Sequence, residues 1–260
     1  MRPELIKIGP FTLYTYGFMW MVGIWLAVWR ALRLAPRYGV KPDDVLDVAF
    51  WSIGLGVVGG RVAFVITNWS QYAPDLWSVF RVWEGGMSYF GGFGLAIATA
   101  IYIVRKRRIP IWQLGDLAAP SLALGYAIAR IGCFGAGCCH GAPTDLPWGV
   151  RFPGHDLAVH PTQLYATLMN LLIFAGLAFG ESRRRFEGQL FAAFLALHGL
   201  YRFINEFFRA GATSALAFGG FTYGHIVAAS LIGVGVVLYR LLALQHQEAV
   251  SRAARSPKAR

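Results

Sequence analysis

The feature that most constrains the fold of this chain is a series of seven apolar blocks, each near the length that crosses a lipid bilayer. A helix needs about 20 residues to span the hydrocarbon layer. Only 14% of the 260 residues are charged, against about a quarter in a soluble domain. We predict an all-α, polytopic membrane protein with a single transmembrane domain over residues 1–243. Helices are expected at 11–34, 46–68, 87–104, 116–134, 163–180, 189–208 and 221–243.

Basic residues are concentrated in every second connection between these blocks. Sixteen of the 24 lysines and arginines lie at the end of the first, third, fifth or seventh block or in the segment after it, and cytoplasmic loops carry such an excess. We therefore expect the N-terminus outside, the C-terminus in the cytoplasm, and outer loops near 69–86 and 135–162. Residues 244–260 are predicted to form a disordered basic tail on anionic membrane lipid. Because this distribution explains the net charge of +11, we predict no nucleic-acid partner.

Three arginines lie inside blocks that are otherwise apolar: Arg61, Arg130 and Arg202. A charge within a membrane segment is costly and marks a functional site by default. In the predicted topology each arginine lies near the outer end of its helix, so the three would form a cationic pocket suited to a lipid phosphate. The alternative is that each one satisfies carbonyl oxygens or a carboxylate and only holds helices together.

The end of the sixth block places four polar residues on one helical face. His198, Arg202, Glu206 and Arg209 are separated by four, four and three positions, which brings their side chains together on a helix. The alternative is that Arg202 and Glu206 form only a structural i,i+4 pair. A histidine one turn from a buried arginine adds a group that titrates near neutral pH, so His198 is a candidate for proton transfer.

The segment after the fourth block contains all three cysteines of the chain. Cys133, Cys138 and Cys139, followed by His140, match neither a zinc spacing nor a c-type haem motif. We therefore predict no metal and no cofactor. A disulfide between Cys133 and one of the pair and small buried thiols without a special role are the two interpretations left open.

Two glycine pairs flank the start of the third block. Gly85 and Gly86 precede it, while Gly91 and Gly92 lie inside it, and the pattern predicts a bent backbone near the outer surface. Tyr16, early in the first block, is expected at the same level. An interfacial anchor is the alternative role for this tyrosine.

Several segments together resemble the bacterial prolipoprotein diacylglyceryl transferases. The matching segments, in chain order, are GGRVAFV at 59–65, FRVWEGGMSYFGG at 80–92, ARIGCF at 129–134, PTDLPWGVRF at 143–152, HPTQLY at 160–165 and YRFINEFFR at 201–209. The resemblance implies a multi-pass enzyme of the bacterial inner membrane whose active site faces the periplasm. It also implies a reaction in which phosphatidylglycerol donates a diacylglyceryl group to the lipobox cysteine of a preprolipoprotein signal peptide, releasing glycerol-1-phosphate.

The resemblance also implies roles for individual residues. Arg130 and Arg202 are the expected catalytic cations, and positions used around the lipid correspond to Tyr16, Glu206 and Arg209. We add Arg61, Gly91 and Gly92 to the expected substrate-binding set. Fixed arginines would stabilise the phosphate that leaves when a thiol attacks the glyceryl carbon. The nucleophile belongs to the substrate, so no cysteine of this chain is expected to act in catalysis.

The chain departs from the family pattern at several positions. Phe90 stands where many members have a histidine favoured as the base, and Cys133 and Cys138 stand where Asn and Glu are usual. We therefore predict that His198 takes the proton of the acceptor thiol, with His160 and His140 in reserve. The alternatives are a non-catalytic lipid-binding paralogue and a transferase for another phospholipid or acceptor. A transporter is disfavoured because no internal repeat is visible.

Overall fold

The structure is a computed structural model that describes residues 4–8, 11–81, 85–154, 156–210, 216–218 and 221–255. The chain divides into two compact units. The first contains Met1–Ala31 and Gly115–Arg260, and the second contains Leu32–Leu114. Each unit has its own helical packing, and the single transmembrane catalytic domain over residues 1–243 stays a prediction.

Helices form most of the described chain. The long ones are α1 (Thr15–Leu34), α2 (Pro42–Thr67), α4 (Tyr89–Arg107), α5 (Ile111–Ala136), α6 (Thr162–Gly180), α7 (Gln189–Glu206) and α8 (Tyr223–Arg255). A short helix, α3 (Trp69–Tyr72), follows α2. Two small antiparallel hairpins complete the described elements, β1 (Glu4–Ile8) with β2 (Phe11–Tyr14) and β3 (Leu216–Phe218) with β4 (Phe221–Thr222).

Each of the seven predicted blocks overlaps one of the long helices, so the all-α prediction is confirmed for the bulk of the chain. Five helical segments in the described part are long and apolar enough to cross a membrane. Helices α4 and α7 are outside that set, and both are interrupted by charges: α4 ends in Arg105, Lys106 and Arg107, and α7 carries Arg202 and Glu206.

Two boundaries differ from the sequence prediction. Residues 11–14 are a strand rather than the start of the first helix, because they pair with β1. The tail predicted to be disordered from residue 244 is helical as far as Arg255. Its sequence QHQEAVSRAAR consists mostly of good helix formers, and an ion pair links Glu248 to Arg252 one turn later. Residues 256–260 lie outside the described part.

In the second unit, α2 and α4 pack against each other. Pro42 begins α2, and Asp43 and Asp44 follow in its first turn, where acidic groups favour the positive end of the helix dipole. The basic end of α4 is complementary, since Arg107 forms ion pairs with Asp44 and Asp47. At the other end Ser88 caps α4 by accepting from the Gly91 N–H at 3.4 Å.

In the first unit, α5 is the central helix. Leu117, Ala119, Ala123 and Ala127 are fully buried, so small residues line the contact between α5 and its neighbours. Asp116, also fully buried, accepts N–H bonds from Gly188 and Phe191 and so caps the start of α7. This carboxylate fixes α7 relative to α5.

Large apolar side chains remain exposed along the helices. Trp25, Phe50, Ile66, Leu172 and Val237 are examples from four different helices. A soluble monomer rarely leaves so much contiguous apolar surface in water. Together with the length of the helices, these faces identify a multi-pass membrane protein, with lipid covering the apolar residues.

Candidate functional site

Arg130 lies in the last two turns of α5 and is the best-placed free cation of the first unit. Its Nη2 donates to the Tyr126 hydroxyl at 2.6 Å, and its guanidinium carbon lies 4.7 Å from the centre of the Tyr126 ring. Its Nη1 is 3.9 Å from Cys133 Sγ. No carboxylate of the described residues lies within 4.0 Å of it. The tyrosine therefore orients the guanidinium without neutralising its charge.

A pair of tyrosines joins this arginine to α7. The hydroxyls of Tyr126 and Tyr201 are 3.0 Å apart, and the His198 ring packs against both phenol rings at 5.0 and 5.2 Å. His198 Nδ1 is 2.9 Å from Asn170 Oδ1, while the amide nitrogen of Asn170 donates to the Ala166 carbonyl. With its amide so fixed, Asn170 presents an acceptor, which favours a proton on His198 Nδ1 and leaves Nε2 as an acceptor.

The end of α7 carries a second cationic group built around one carboxylate. Glu206 is buried and forms an ion pair with Arg202, while Arg209 Nε lies 3.8 Å from the same oxygen. The other carboxylate oxygen accepts from the Thr222 hydroxyl at 3.0 Å. A Cβ on Gly224 would lie 2.2 Å from that oxygen, so only glycine admits the carboxylate there. Two guanidinium groups share one carboxylate, and one positive charge within the trio is left uncompensated.

Tyr16 lies in the first turn of α1, close to Arg130. It packs against α5, because a Cβ on Gly132 would come within 3.1 Å of the Tyr16 carbonyl oxygen. The phenol lies near enough to Arg130 and to the three cysteine thiols for electrostatic interaction. The structure thus brings Tyr16, Arg130 and Arg202 to the same end of the first unit as the predicted outer loop.

Arg61 belongs to the second unit, and all N–H donors of its guanidinium have acceptors within the protein. Its five N–H donors point to carbonyl oxygens at 2.6–3.2 Å, those of Ser78, Val79, Arg81, Gly85 and Gly86. The guanidinium carbon also lies 5.0 Å from the centre of the Tyr72 ring. We expected Arg61 to support a phosphate, but no N–H donor is left for one. The structure favours the other interpretation, that this arginine holds the segment after α2 in place.

The glycines expected to contact substrate are helix-packing residues. A Cβ on Gly91 would lie 2.2 Å from Ala63 Cβ and 2.6 Å from the Gly59 carbonyl, and one on Gly92 would lie 2.9 Å from the Gly56 carbonyl. These contacts let α4 approach α2 closely. The bent backbone expected nearby is present at Gly85 and Gly86, whose φ angles are +89° and +78°.

The two reserve histidines have local partners. His140 Nδ1 is 3.1 Å from the Gly141 carbonyl, and its ring stacks on Phe152 at 5.4 Å. His160 Nδ1 is 3.3 Å from the Tyr165 hydroxyl. Both histidines lie in the segment between α5 and α6, which is joined to the end of α7 by a bridge between Gly141 and Arg209.

The structure also assembles a cluster that the spacing of the sequence did not suggest. The Sγ atoms of Cys133, Cys138 and Cys139 all lie within 4.8 Å of one another. No disulfide joins them. The signal available in the sequence was a helix end followed by Gly137 and a Cys-Cys pair, because the chain can turn back at the glycine, whose φ is +74°.

The thiols influence one another and respond to the nearby arginines. Hydrogen bonds from Cys133 and Cys138 lower the pKa of the exposed Cys139 thiol, and attraction to Arg130 and Arg209 acts in the same direction. The corresponding hydrogen bonds raise the pKa of Cys138. The cluster therefore holds a thiolate at Cys139 more readily than an isolated cysteine would.

Other residues of the site were missed from the sequence for a common reason. Tyr126, Tyr201, Asn170 and Thr222 act as partners of the predicted residues. Each is a common polar residue type, and none stands out in the sequence. Only the packing of α5, α6, α7 and α8 shows what each one contacts.

The fold and the site thus define a multi-pass membrane protein with free cationic groups gathered at one end of a helical unit. Comparison with known proteins places it more narrowly. The prolipoprotein diacylglyceryl transferase family profile matches residues 3–241. The chain belongs to this family.

Individual relatives agree with the family match. The phosphatidylglycerol–prolipoprotein diacylglyceryl transferase of Geobacter sulfurreducens is 36% identical over 243 residues, covering 91% of this chain and 93% of that protein. The enzyme of the same name from Chromohalobacter salexigens is 36% identical over 242 residues, with 91% and 90% covered. The one from Finegoldia magna is 33% identical over 224 residues, with 86% and 88% covered.

Proposed function

We propose that this protein transfers the diacylglyceryl group of phosphatidylglycerol to the cysteine thiol of prolipoproteins. The family match over nearly the whole chain supports this reaction. The observation in the structure that carries the proposal is the set of arginines at the outer end of the first unit. Arg130 has no carboxylate partner among the described residues, and Arg202 and Arg209 share a single one.

The arginines act on the leaving group. A thiol attacks the glyceryl carbon, a C–S bond forms, and the C–O bond to the phosphate breaks. Negative charge is then concentrated on the departing glycerol phosphate, where guanidinium groups match phosphate oxygens with paired N–H donors. In a water-poor pocket such fixed donors lower the barrier by about 3–4 kcal/mol each. Tyr126 holds Arg130 in position, and Glu206 holds Arg202 and Arg209.

His198 is our proposed proton acceptor for the acceptor thiol. Its support is the bond from Nδ1 to Asn170, which leaves Nε2 without a proton in the neutral ring. The His198 ring also has a positioning effect. It packs against Tyr126, Phe194 and Tyr201, and so holds Tyr126, the tyrosine that orients Arg130.

The proposed orientation places this site at the periplasmic face of the bacterial inner membrane, with all seven long helices as spans. Within the first unit, Arg130 and Arg202 lie at one end, and the basic residues after α6 lie at the other. An excess of lysine and arginine favours the cytoplasmic side. The lipobox of the preprolipoprotein signal peptide would then approach from the membrane, where phosphatidylglycerol is also present.

The test supplies purified protein in detergent with phosphatidylglycerol and a synthetic lipobox peptide. The expected result is a peptide mass increased by one diacylglyceryl group together with an equal amount of glycerol phosphate. Arg130→Ala is expected to abolish both signals. Phosphatidylglycerol binding without either product would contradict the proposal and favour a non-catalytic lipid-binding protein.

A further inference from the structure

The cysteine cluster has the dimensions of a metal site. A tetrahedral zinc ion with Zn–S distances of about 2.3 Å holds its sulfur ligands about 3.8 Å apart. The three Sγ atoms of Cys133, Cys138 and Cys139 lie within 4.8 Å of one another. A small rotation of these side chains would therefore bring the three sulfurs to ligand distance from one ion.

Hydrogen bonds to its carbonyl groups hold the backbone around the cluster in place. Thr162 and Gln163, both buried at the start of α6, donate to the carbonyls of Cys139 and Cys138 at 2.8 and 2.7 Å. The Cys138 N–H closes the end of α5 by donating to the Cys133 carbonyl. Cys139 itself has a φ of +64°, a conformation that a residue with a side chain adopts only when its surroundings require it. The segment is thus fixed in the shape that gathers three sulfurs.

The donor set selects the class of ion. Thiolate sulfurs favour zinc and other soft or borderline cations over magnesium or calcium. The described residues offer the cluster three ligands, and His140 is engaged with Gly141 and Phe152 instead. Three protein ligands leave the fourth position of a zinc ion open, as in catalytic zinc sites.

The location of the cluster links it to the reaction. Cys133 Sγ lies 3.9 Å from Nη1 of Arg130, the residue proposed to bind the phosphate of the leaving group. A ligand in the open position would therefore lie next to the substrate phosphate. The acceptor in the proposed reaction is itself a thiol, and a thiol that binds zinc loses its proton.

We infer that Cys133, Cys138 and Cys139 bind one zinc-class cation, and that its open position takes the acceptor thiol as a thiolate. This inference rests on the proposed function. The thiol proton passes to water and on to His198. The metal-bound sulfur attacks the glyceryl carbon, the C–O bond breaks, and glycerol phosphate departs with the bonding electrons beside Arg130. The neutral thioether is a weaker ligand than the thiolate and dissociates. The cysteines are then part of the catalytic site, contrary to our prediction from the sequence.

The first experiment measures the metal site without activity. Full-length protein is purified in detergent under reducing conditions, stripped with a chelator, and titrated with Co²⁺. We expect the intense near-ultraviolet absorption of cobalt–thiolate bonds, saturating at about one ion per chain, and its loss on addition of Zn²⁺. Cys133→Ser, Cys138→Ser and Cys139→Ser should each weaken binding at least about tenfold. His140→Ala, the matched control in the same segment, should bind Co²⁺ normally.

The second experiment tests the open position. A lipobox peptide with its cysteine should change the spectrum of the Co²⁺ protein, and the same peptide with serine should not. Chelated protein should lose transfer activity and regain it with Zn²⁺. Absence of cobalt–thiolate absorption, full activity of the metal-free protein, or a disulfide among these cysteines in the active protein would each overturn the inference. A protein that binds Co²⁺ and the cysteine peptide but makes no product would contradict the proposed transfer and not the metal site.

Discussion

Two regions of this protein contain helical arginines that look equivalent in the sequence, and the structure surrounds them with different partners. Around Arg61, in the second unit, five carbonyl oxygens receive all five N–H donors of the guanidinium. Around Arg130, in the first unit, the partners are one phenol and one sulfur. The comparison teaches that membrane placement identifies a costly arginine, but the partners decide whether its charge is available to a substrate.

A third arginine supports this distinction. Arg30, at the opposite end of the first unit from Arg130, donates to the Ser121 hydroxyl at 3.0 Å and forms an ion pair with Glu181. Its charge is neutralised inside the protein, and it joins α1 to α5 and to the end of α6. Arg30 and Arg61 are both satisfied by the protein, whereas Arg130 keeps donors for an anion.

The largest expected effect comes from replacing the free arginine with a residue of the same charge. Arg130→Lys should lower the transfer rate by about 100-fold or more. Lysine keeps the positive charge but loses the planar fork that binds two phosphate oxygens and the stacking on Tyr126. The rate is measured by release of glycerol phosphate from phosphatidylglycerol in the presence of the lipobox peptide.

Arg183→Lys is the matched control, because Arg183 stacks on Phe179 at 4.0 Å, away from the site, after α6. It should transfer at the wild-type rate. Transfer at the wild-type rate by Arg130→Lys would show that a positive charge alone suffices. The free N–H donors that distinguish Arg130 from Arg61 would then have no role in the reaction.

The next effect tests the histidine of the cationic region. His198→Phe should reduce turnover by about 10- to 100-fold, the range of a lost proton acceptor, while phosphatidylglycerol binding changes little. His198→Phe keeps a ring beside the tyrosines and His198→Asn keeps a donor to Asn170, but neither side chain can take up a proton. We expect the asparagine variant to be as slow as the phenylalanine variant in single-turnover assays. Recovery of turnover with asparagine would rule out the base and leave only the hydrogen bond to Asn170.

The two regions also differ in how much of their structure could be predicted from the sequence. Periodicity and charge found all seven long helices, because apolar length and basic loops act locally along the chain. They also marked Arg130, Arg202 and Glu206 as charges within apolar helices, and the roles of these residues in the reaction stay predictions. They did not distinguish Arg61, because its five carbonyl partners come from a loop whose backbone path is set by Gly85 and Gly86. Hydrogen-bond partners of this kind depend on the folded chain and leave no periodic pattern.

The cysteine cluster is a second feature that could not be predicted from the sequence. Metal motifs read from a sequence rely on fixed spacings, and the Cys-x₄-Cys-Cys arrangement matches none of them. The convergence of the three thiols depends on Gly137 and on two side chains of α6, Thr162 and Gln163. These residues lie too far from Cys133 in the sequence, or are too ordinary in type, to predict the cluster.

A smaller effect is expected from the group that orients Arg130. Tyr126→Phe removes the hydroxyl that accepts from the guanidinium and contacts Tyr201, but keeps the ring beneath the charge. Loss of a hydrogen bond to a charged group is worth about 1.5–3 kcal/mol at most, and the ring keeps part of the orientation. We therefore expect transfer to slow by about 5- to 20-fold. Tyr239→Phe, in α8 and remote from Arg130, is the control for the loss of a phenol, and an equal loss in both variants would contradict the orienting role.

The smallest effect on the reaction is expected from replacing Arg61, whose five N–H donors are all bonded within the protein. Arg61→Met keeps much of the side-chain length but leaves five carbonyls without their donors, those of Ser78, Val79, Arg81, Gly85 and Gly86. Each buried acceptor left unpaired costs about 1–3 kcal/mol, so the variant should unfold at a markedly lower temperature in detergent. The turnover of the protein that remains folded, measured below that temperature and normalised to folded protein, should stay within about twofold of wild type. A variant of normal stability whose turnover falls as far as that of Arg130→Lys would place Arg61 at the phosphate. It would also show that the five carbonyls give up their donors when substrate binds, because a guanidinium has only five N–H groups to share between them and a phosphate.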